Sequence, residues 1–195
     1  MADDIAAVRA VLSEHVTERN EEVILVLHSA GGFIGSAAME GGLSRPAREQ
    51  VDLAGGVTKT IFISGAVFPE GHKHHLLPFA ISKHGAAHPI NPEFLLFDDV
   101  PEAEKAQWRA KLQSQPTDGW DGAVSYAGWK EVPSVYLVCE GDRALPVPLQ
   151  EQLAALAGSR VERCSAGHMP HVSQPQRVAG VSGGDLGNSL DSLRG

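Results

Sequence analysis

A chain of 195 residues with 43% hydrophobic and 21% charged residues has an ordinary globular composition and can bury one sizeable core. Its net charge of -8 comes without a basic stripe or a Lys/Arg cluster, which excludes nucleic acid and anionic membrane surfaces as partners on electrostatic grounds. No apolar run approaches the roughly 18 residues of a membrane span, and the acidic start does not fit a secretory signal.

The first elements predicted along the chain are a helix and a buried strand. Apolar residues recur on one face of residues 4–17, which predicts an amphipathic helix. The run "EEVILVLHS" that follows is continuous in β-branched residues and Leu, which is typical of a strand covered on both faces in a parallel sheet. Small residues in "AGGFIGSAAMEGG" then predict a short helix packed closely on that sheet.

Three more strands are predicted near residues 60–64, 134–139 and 160–164, with helical patterns between them. This alternation predicts an α/β fold with a mostly parallel sheet of about four strands, flanking helices and right-handed crossovers. Cys139 and Cys164 fall in two of these apolar strands, which favours buried thiols in a reducing compartment over a disulfide. We therefore expect a cytoplasmic protein.

The interval from about residue 69 to residue 130 is too long for a plain connection and too apolar to be disordered. A helical pattern over residues 103–112, together with Trp120 and Trp129, predicts a helical cap inserted over the strand ends. Beyond residue 179 the sequence changes to Gly, Ser and Asp, which predicts a disordered tail over 180–195. The predicted domain therefore spans residues 1–179.

Three of the predicted strands are followed by residues with catalytic chemistry. Ser29, Asp142 and His168 occur in that chain order in loops that leave the carboxyl ends of parallel strands, where ligands bind in open α/β sheets. A serine hydroxyl becomes a nucleophile when an imidazole takes its proton and a carboxylate orients that imidazole. Gly31, two residues after the serine, is expected to be required because the sharp turn brings helix and strand backbones together.

Five motifs carry a family resemblance across about residues 4–179: "LHSAGG", "FISGAVFPEG", "LFDDVPEAEKAQWRAKL", "YLVCEGDRALPVPLQEQL" and "AGHMPHVSQPQRVA". In this order they resemble the α/β-hydrolase superfamily, in the branch that contains plant methyl esterases and hydroxynitrile lyases. The resemblance implies Ser29 as nucleophile, Asp142 as orienting acid and His168 as general base, acting on a small apolar ester through an acyl-enzyme. It further implies that the Ala30 N–H forms half of an oxyanion hole, and that neither cofactor nor metal is used.

Two departures from the family pattern stand out. Leu27 occupies the position two residues before the serine, where the family usually has glycine. One helix precedes the nucleophile strand, where the family has several strands and the loop that completes the oxyanion hole. The chain therefore resembles the C-terminal two-thirds of such an enzyme, with its nucleophile strand as a sheet edge. Loss of one oxyanion donor typically slows catalysis by about 100- to 1000-fold.

The substrate pocket is expected to include His28, Met169, Trp120 and Phe97. Hydroxynitrile lyases carry a lysine directly after the catalytic histidine, whereas Met169 stands there as in the esterases, so lyase chemistry ranks low. The His72, His74 and His75 cluster lacks matching carboxylate or thiolate spacing and indicates a solvated loop rather than a metal site.

Residue-level alternatives remain open at each catalytic position. Ser29 also fits a simple turn serine, Glu140 competes with Asp142 as the acid, and His171 competes with His168 as the base. At the level of the whole protein, a rival hypothesis is a shortened, catalytically impaired homologue that binds a ligand or a partner through its exposed sheet edge.

Overall fold

The computed structural model describes residues 1–73, 80–116 and 122–182. The strands in this part of the chain are β1 (Glu22–His28), β2 (Gly56–Ile63), β3 (Ala80–Lys83), β4 (Ala86–Pro89), β5 (Gln115–Pro116), β6 (Ser134–Cys139) and β7 (Arg160–Cys164). The helices are α1 (Ala2–Ser13), α2 (Gly31–Ala38), α3 (Arg45–Glu49), α4 (Pro92–Leu95), α5 (Glu102–Ala110), α6 (Val147–Leu156), α7 (Pro170–Ser173) and α8 (residues 175–182). A π-helical turn, Glu14–Glu18, extends α1.

The main sheet has four parallel strands in the order β1-β2-β6-β7, which confirms the predicted α/β architecture. Successive side chains of a strand point to opposite faces, so each central strand contributes to two apolar layers. Phe62, Tyr136 and Val138 pack on one face together with residues of α6. Ile61 and Leu137 pack on the other face, which residues of α8 cover.

The nucleophile strand β1 lies at one edge of the sheet. The prediction that both of its faces are covered is wrong: Leu27 is 7% exposed, but Val26 is 47% exposed. β2 and β6 are the strands whose faces are both buried, because each has a neighbour on either side and helices above and below. Apolar composition alone therefore did not distinguish an edge strand from a central one.

The inserted segment between β2 and β6 contains more than the predicted helices. β3, β4 and β5 form a small antiparallel sheet. Along the chain, α4 and α5 lie between β4 and β5. Helix α5 begins and ends within a residue or two of the predicted 103–112 span. Trp120, which was predicted to belong to this cap, lies outside the described residues.

Helix α8 continues to residue 182, and Val181 in its last turn is 5% exposed. The helix therefore runs past residue 179, the predicted end of the domain, and the remainder of the predicted tail lies outside the described residues. Within the part of the chain that the structure describes, none of the helices is both long enough and apolar enough to cross a membrane.

Candidate active site

The turn after β1 holds Ser29 in a left-handed backbone conformation, with φ of 50°. Such a conformation costs a residue other than glycine about 1–3 kcal/mol and persists where its surroundings enforce it. Hydrogen bonds to β2 and to the loop after it enforce the conformation of Ser29. The Ser29 N–H donates to the Ile63 carbonyl at 3.2 Å, and the Ser29 carbonyl accepts from Ala66 N–H at 2.9 Å. The serine is thereby fixed between β1 and the start of α2.

The glycine that this turn requires is Gly32, not Gly31 as predicted. A Cβ on Gly32 would lie 2.4 Å from the Ala66 carbonyl oxygen, which is part of the backbone and cannot rotate away. A Cβ on Gly31 would have nothing within 4 Å. The close approach is therefore between α2 and the loop after β2, and it falls one residue later than the sequence pattern suggested.

Leu27 fits at the family's usual glycine position because of a second glycine. A Cβ on Gly35 of α2 would lie 2.3 Å from Leu27 Cδ2. The absent side chain of Gly35 therefore leaves the space that the Leu27 side chain fills. At this contact between β1 and α2, the small residue is Gly35 of the helix and the large one is Leu27 of the strand.

The three predicted catalytic side chains lie in one line of hydrogen bonds. His168 Nε2 is 3.0 Å from Ser29 Oγ, and His168 Nδ1 is 2.7 Å from Asp142 Oδ2. Asp142 and His168 are 7% and 4% exposed, respectively, whereas Ser29 is half-buried. A proton on Nδ1 can bond only to the carboxylate, so Nε2 is left as the acceptor for the serine hydroxyl. The imidazole is thus held in the tautomer that a general base needs.

The Asp142 carboxylate is held by donors on both of its oxygens. Oδ1 accepts from the backbone N–H groups of Ala144 and Leu145, each at 2.8 Å. Oδ2 accepts from Ser64 Oγ as well as from His168. Burial by itself would raise the pKa of Asp142, but these hydrogen bonds and the neighbouring imidazole outweigh it and lower the pKa. The side chain is therefore a carboxylate at neutral pH.

Ser64 is a member of this network that the sequence reasoning missed. It follows β2 as Ser29 follows β1, it has φ of 44°, and it is fully buried. Its position directly after the strand adjacent to the nucleophile strand is the signal that could have found it. A short hydroxyl at the end of a parallel strand is well placed to contact a neighbouring loop.

Three histidine rings lie together behind the serine. His28 Nε2 is 2.7 Å from the His168 carbonyl, which can only accept, so this nitrogen carries the proton. The His28 ring lies 4.9 Å from the His168 ring and 4.8 Å from the His171 ring, between centroids. Burial, followed by the nearby imidazole of His168, lowers the pKa of His28 to about 3 and also lowers that of His171. His28 is therefore a neutral side chain whose N–H donates to the loop that carries His168.

Asp98 and Asp99 of the inserted segment contact the loops that carry Asp142 and His168. Asp99 Oδ2 accepts from Gly167 N–H at 2.7 Å and from Ser173 Oγ at 2.6 Å. Asp98 pairs with Arg143 of the acid loop at 2.9 Å. The inserted segment therefore reaches both loops through its carboxylates.

The other predicted residues have the following positions. Glu140, the competing acid, is exposed and lies 3.4 Å from Arg163. Ala30 stands directly before α2, Met169 is partly buried directly before α7, and Phe97 is 1% exposed in the protein interior. Of the clustered histidines, His72 stacks on Phe68, whereas His74 and His75 lie outside the described residues. No group of three or more potential metal ligands occurs among the residues that the structure describes.

A family model described as the alpha/beta hydrolase family matches residues 1–181. The chain belongs to this family. It is 27% identical over 202 residues to the alpha/beta hydrolase nvfD of Aspergillus novofumigatus, a match that covers 97% of this chain and 79% of that protein.

Solved structures show the same fold. A methylesterase protein from Arabidopsis superimposes with a TM-score of 0.64 at 18% identity, covering 94% of this chain and 74% of that one. A polyneuridine aldehyde esterase superimposes with a TM-score of 0.59 at 18% identity, covering 85% and 74% of the two chains.

Proposed function

We propose that this alpha/beta hydrolase is a serine esterase that hydrolyses a small carboxylic ester through an acyl-enzyme. The observation that carries the proposal is the unbroken path from Ser29 Oγ to His168 to Asp142, with contacts of 3.0 and 2.7 Å. The 3.0 Å distance from His168 Nε2 to Ser29 Oγ lies within the range in which a positioned base removes a hydroxyl proton. The Asp142 carboxylate is buried and accepts several hydrogen bonds, which suits an orienting role rather than proton transfer.

In the first half of the reaction, His168 Nε2 takes the Ser29 proton while Oγ forms a bond to the ester carbonyl carbon. The carbonyl oxygen becomes an oxyanion, to which the Ala30 N–H at the amino end of α2 would donate. The C–O bond to the alcohol then breaks, and His168 returns its proton to the departing oxygen. Asp142 stabilises the imidazolium that exists between these two transfers.

In the second half, His168 removes a proton from a water molecule that attacks the acyl carbon. Collapse of this second tetrahedral intermediate breaks the bond to Ser29, and the imidazolium returns its proton to Oγ. The products are a carboxylic acid and free enzyme. These steps need only the three side chains, the Ala30 N–H and water, so the proposal includes no cofactor or metal.

The substrate class rests on two lines of support. The solved relatives named above are a methylesterase and a polyneuridine aldehyde esterase, and both names describe an esterase. Met169 follows the base, so no cation stands at the position where a lyase of this fold would meet a departing cyanide. We therefore propose a small ester with an apolar acyl group, with His28, Met169 and Phe97 as the neighbouring residues; Trp120, the fourth residue of the predicted pocket, lies outside the described residues.

Covalent labelling with a fluorophosphonate tests the proposal, because this reagent reacts with an activated serine. We expect one label per chain on the intact protein and none on Ser29→Ala. Ser114→Ala, which removes an exposed serine of the inserted segment, should label as the unchanged protein does. Hydrolysis of p-nitrophenyl butyrate should follow the same order, and equal labelling of Ser29→Ala would refute the assignment.

A further inference from the structure

The two cysteines of the chain lie side by side at the ends of neighbouring strands. Cys139 ends β6, Cys164 ends β7, and the two residues are paired in the parallel register. Both are free thiols, and their Sγ atoms are 3.8 Å apart. Neighbouring strands lie about 4.8 Å apart, a separation within the Cα range that disulfides span. A covalent bond would require the sulfur atoms to approach to about 2 Å.

The same two residues are the last strand residues before Asp142 and His168. Asp142 follows Cys139 by one short turn, and His168 follows Cys164 by another. Two backbone hydrogen bonds tie these turns together: Glu140 N–H to the Cys164 carbonyl and Gly141 N–H to the Ala166 carbonyl, each at 2.9 Å. A movement of either cysteine is therefore transmitted directly to the Asp142–His168 pair.

We propose that Cys139 and Cys164 form a reversible dithiol site for hydroperoxides, and that closing the disulfide shifts His168 out of its hydrogen-bonding position at Ser29. Cys164 is the sulfur that reacts first, because it is 7% exposed whereas Cys139 is fully buried. Both cysteines are buried, but hydrogen bonding with Cys139 lowers the pKa of Cys164 and the same contact raises that of Cys139, so the less buried cysteine is also the better nucleophile.

The chemistry balances with one hydroperoxide. The Cys164 thiolate attacks a peroxide oxygen, so that an S–O bond forms, the O–O bond breaks, and the released oxygen leaves as water or an alcohol. Cys139 then loses its proton and attacks the Cys164 sulfur, forming the S–S bond and expelling the sulfenic oxygen as water. The two thiols together lose two electrons, and the peroxide accepts both. A dithiol such as dithiothreitol reverses the bond by exchange.

The Cys164 side is expected to move when the bond closes. The backbone of Cys139 is clamped by the fully buried Gln150: its N–H donates to Oε1 at 2.9 Å, and its carbonyl accepts from Nε2 at 3.0 Å. β7, in contrast, is an edge strand of the sheet. The bond would therefore draw the end of β7 toward β6 and carry the following turn, including His168, with it.

The experiment treats the full chain with hydrogen peroxide and counts thiols with Ellman's reagent under denaturing conditions. Because the chain has two cysteines, the expected loss of both thiols with a mass decrease of about 2 Da identifies this one disulfide. Dithiothreitol should restore both. Cys139→Ala should give instead a single thiol that takes up oxygen without forming an intramolecular bond.

The effect on the site, which rests on the proposed function, is measured as the fluorophosphonate labelling rate. We expect oxidation to slow labelling at least fivefold, and dithiothreitol to restore the original rate. Oxygen addition at each sulfur without a disulfide would overturn the dithiol site, and a disulfide with an unchanged labelling rate would overturn its link to His168. Absent labelling in the reduced protein contradicts the esterase proposal alone, and the thiol count and mass then decide the dithiol site by themselves.

Discussion

Leu27 and Gly35 should be energetically coupled, because the leucine occupies the space that a Gly35 side chain would need. In the unchanged protein, Gly35→Ala places a Cβ 2.3 Å from Leu27 Cδ2. Helix propensity favours alanine over glycine by about 1 kcal/mol, whereas overpacking in a tight core costs about 1–3 kcal/mol. The two effects together should lower the free energy of unfolding by up to about 2 kcal/mol.

The sign should reverse once the leucine is shortened. Leu27→Ala removes the three atoms nearest to a Gly35 Cβ and should itself cost about 2–5 kcal/mol. In that background Gly35→Ala should stabilise by about 1 kcal/mol, from helix propensity and from filling part of the cavity. The double variant is therefore expected to be about 1–3 kcal/mol more stable than the sum of the single changes.

Urea unfolding of the four proteins, followed by circular dichroism, measures this coupling. Gly31→Ala is the matched control, since it lies in the same helix with nothing within 4 Å of its Cβ and should combine additively with Leu27→Ala. Additivity of Gly35→Ala and Leu27→Ala within about 0.5 kcal/mol would refute the claim that the Leu27 side chain fills the space left by Gly35.

Two further predictions concern the same turn. Gly32→Ala should cost at least about 2 kcal/mol in urea unfolding and should slow fluorophosphonate labelling, because its Cβ meets the Ala66 carbonyl at 2.4 Å; stability equal to that of Gly31→Ala would contradict it. His28, whose pKa falls from 6.5 to about 3 on folding, stabilises the fold fully above about pH 6.5, and this contribution is lost as the pH falls toward 3. The loss should reach up to about 5 kcal/mol and be largely absent in His28→Gln, which keeps an N–H donor but cannot titrate, so equal pH slopes of the unfolding free energy in the two proteins would count against it.

The sequence located β6 and β7 at the residues predicted, and for β6 the reason is a continuous apolar run between turn residues. β2 begins four residues before the predicted 60–64 span. β3, β4 and β5 were missed for the opposite reason. They have four, four and two residues, with Ala and Pro among them, and they exist through pairing with each other rather than through local preference.

The parts of the site that sequence reasoning missed are those set by distant contacts. Ser64 reaches Asp142 across 78 positions of the chain, and Asp99 reaches Gly167 across 68. Asp99 stands in no spacing that indicates its role, and the signal for Ser64 is its place directly after β2. The predicted need for a glycine in the turn was correct in kind but misplaced by one residue, because the limiting contact is with the Ala66 backbone in the loop after β2.

The order of the strands explains why the carboxylate is the most firmly held member of the candidate triad. Ser29 follows β1 and His168 follows β7, which are the two edges of the sheet, whereas Asp142 follows β6 and its donor Ser64 follows β2, the two central strands. Edge strands have a partner on one side and yield more readily than central strands. Asp142 is therefore the least movable of the three residues, and Ser29 and His168 are the ones whose positions a substitution at the turn or a bond between β6 and β7 can change.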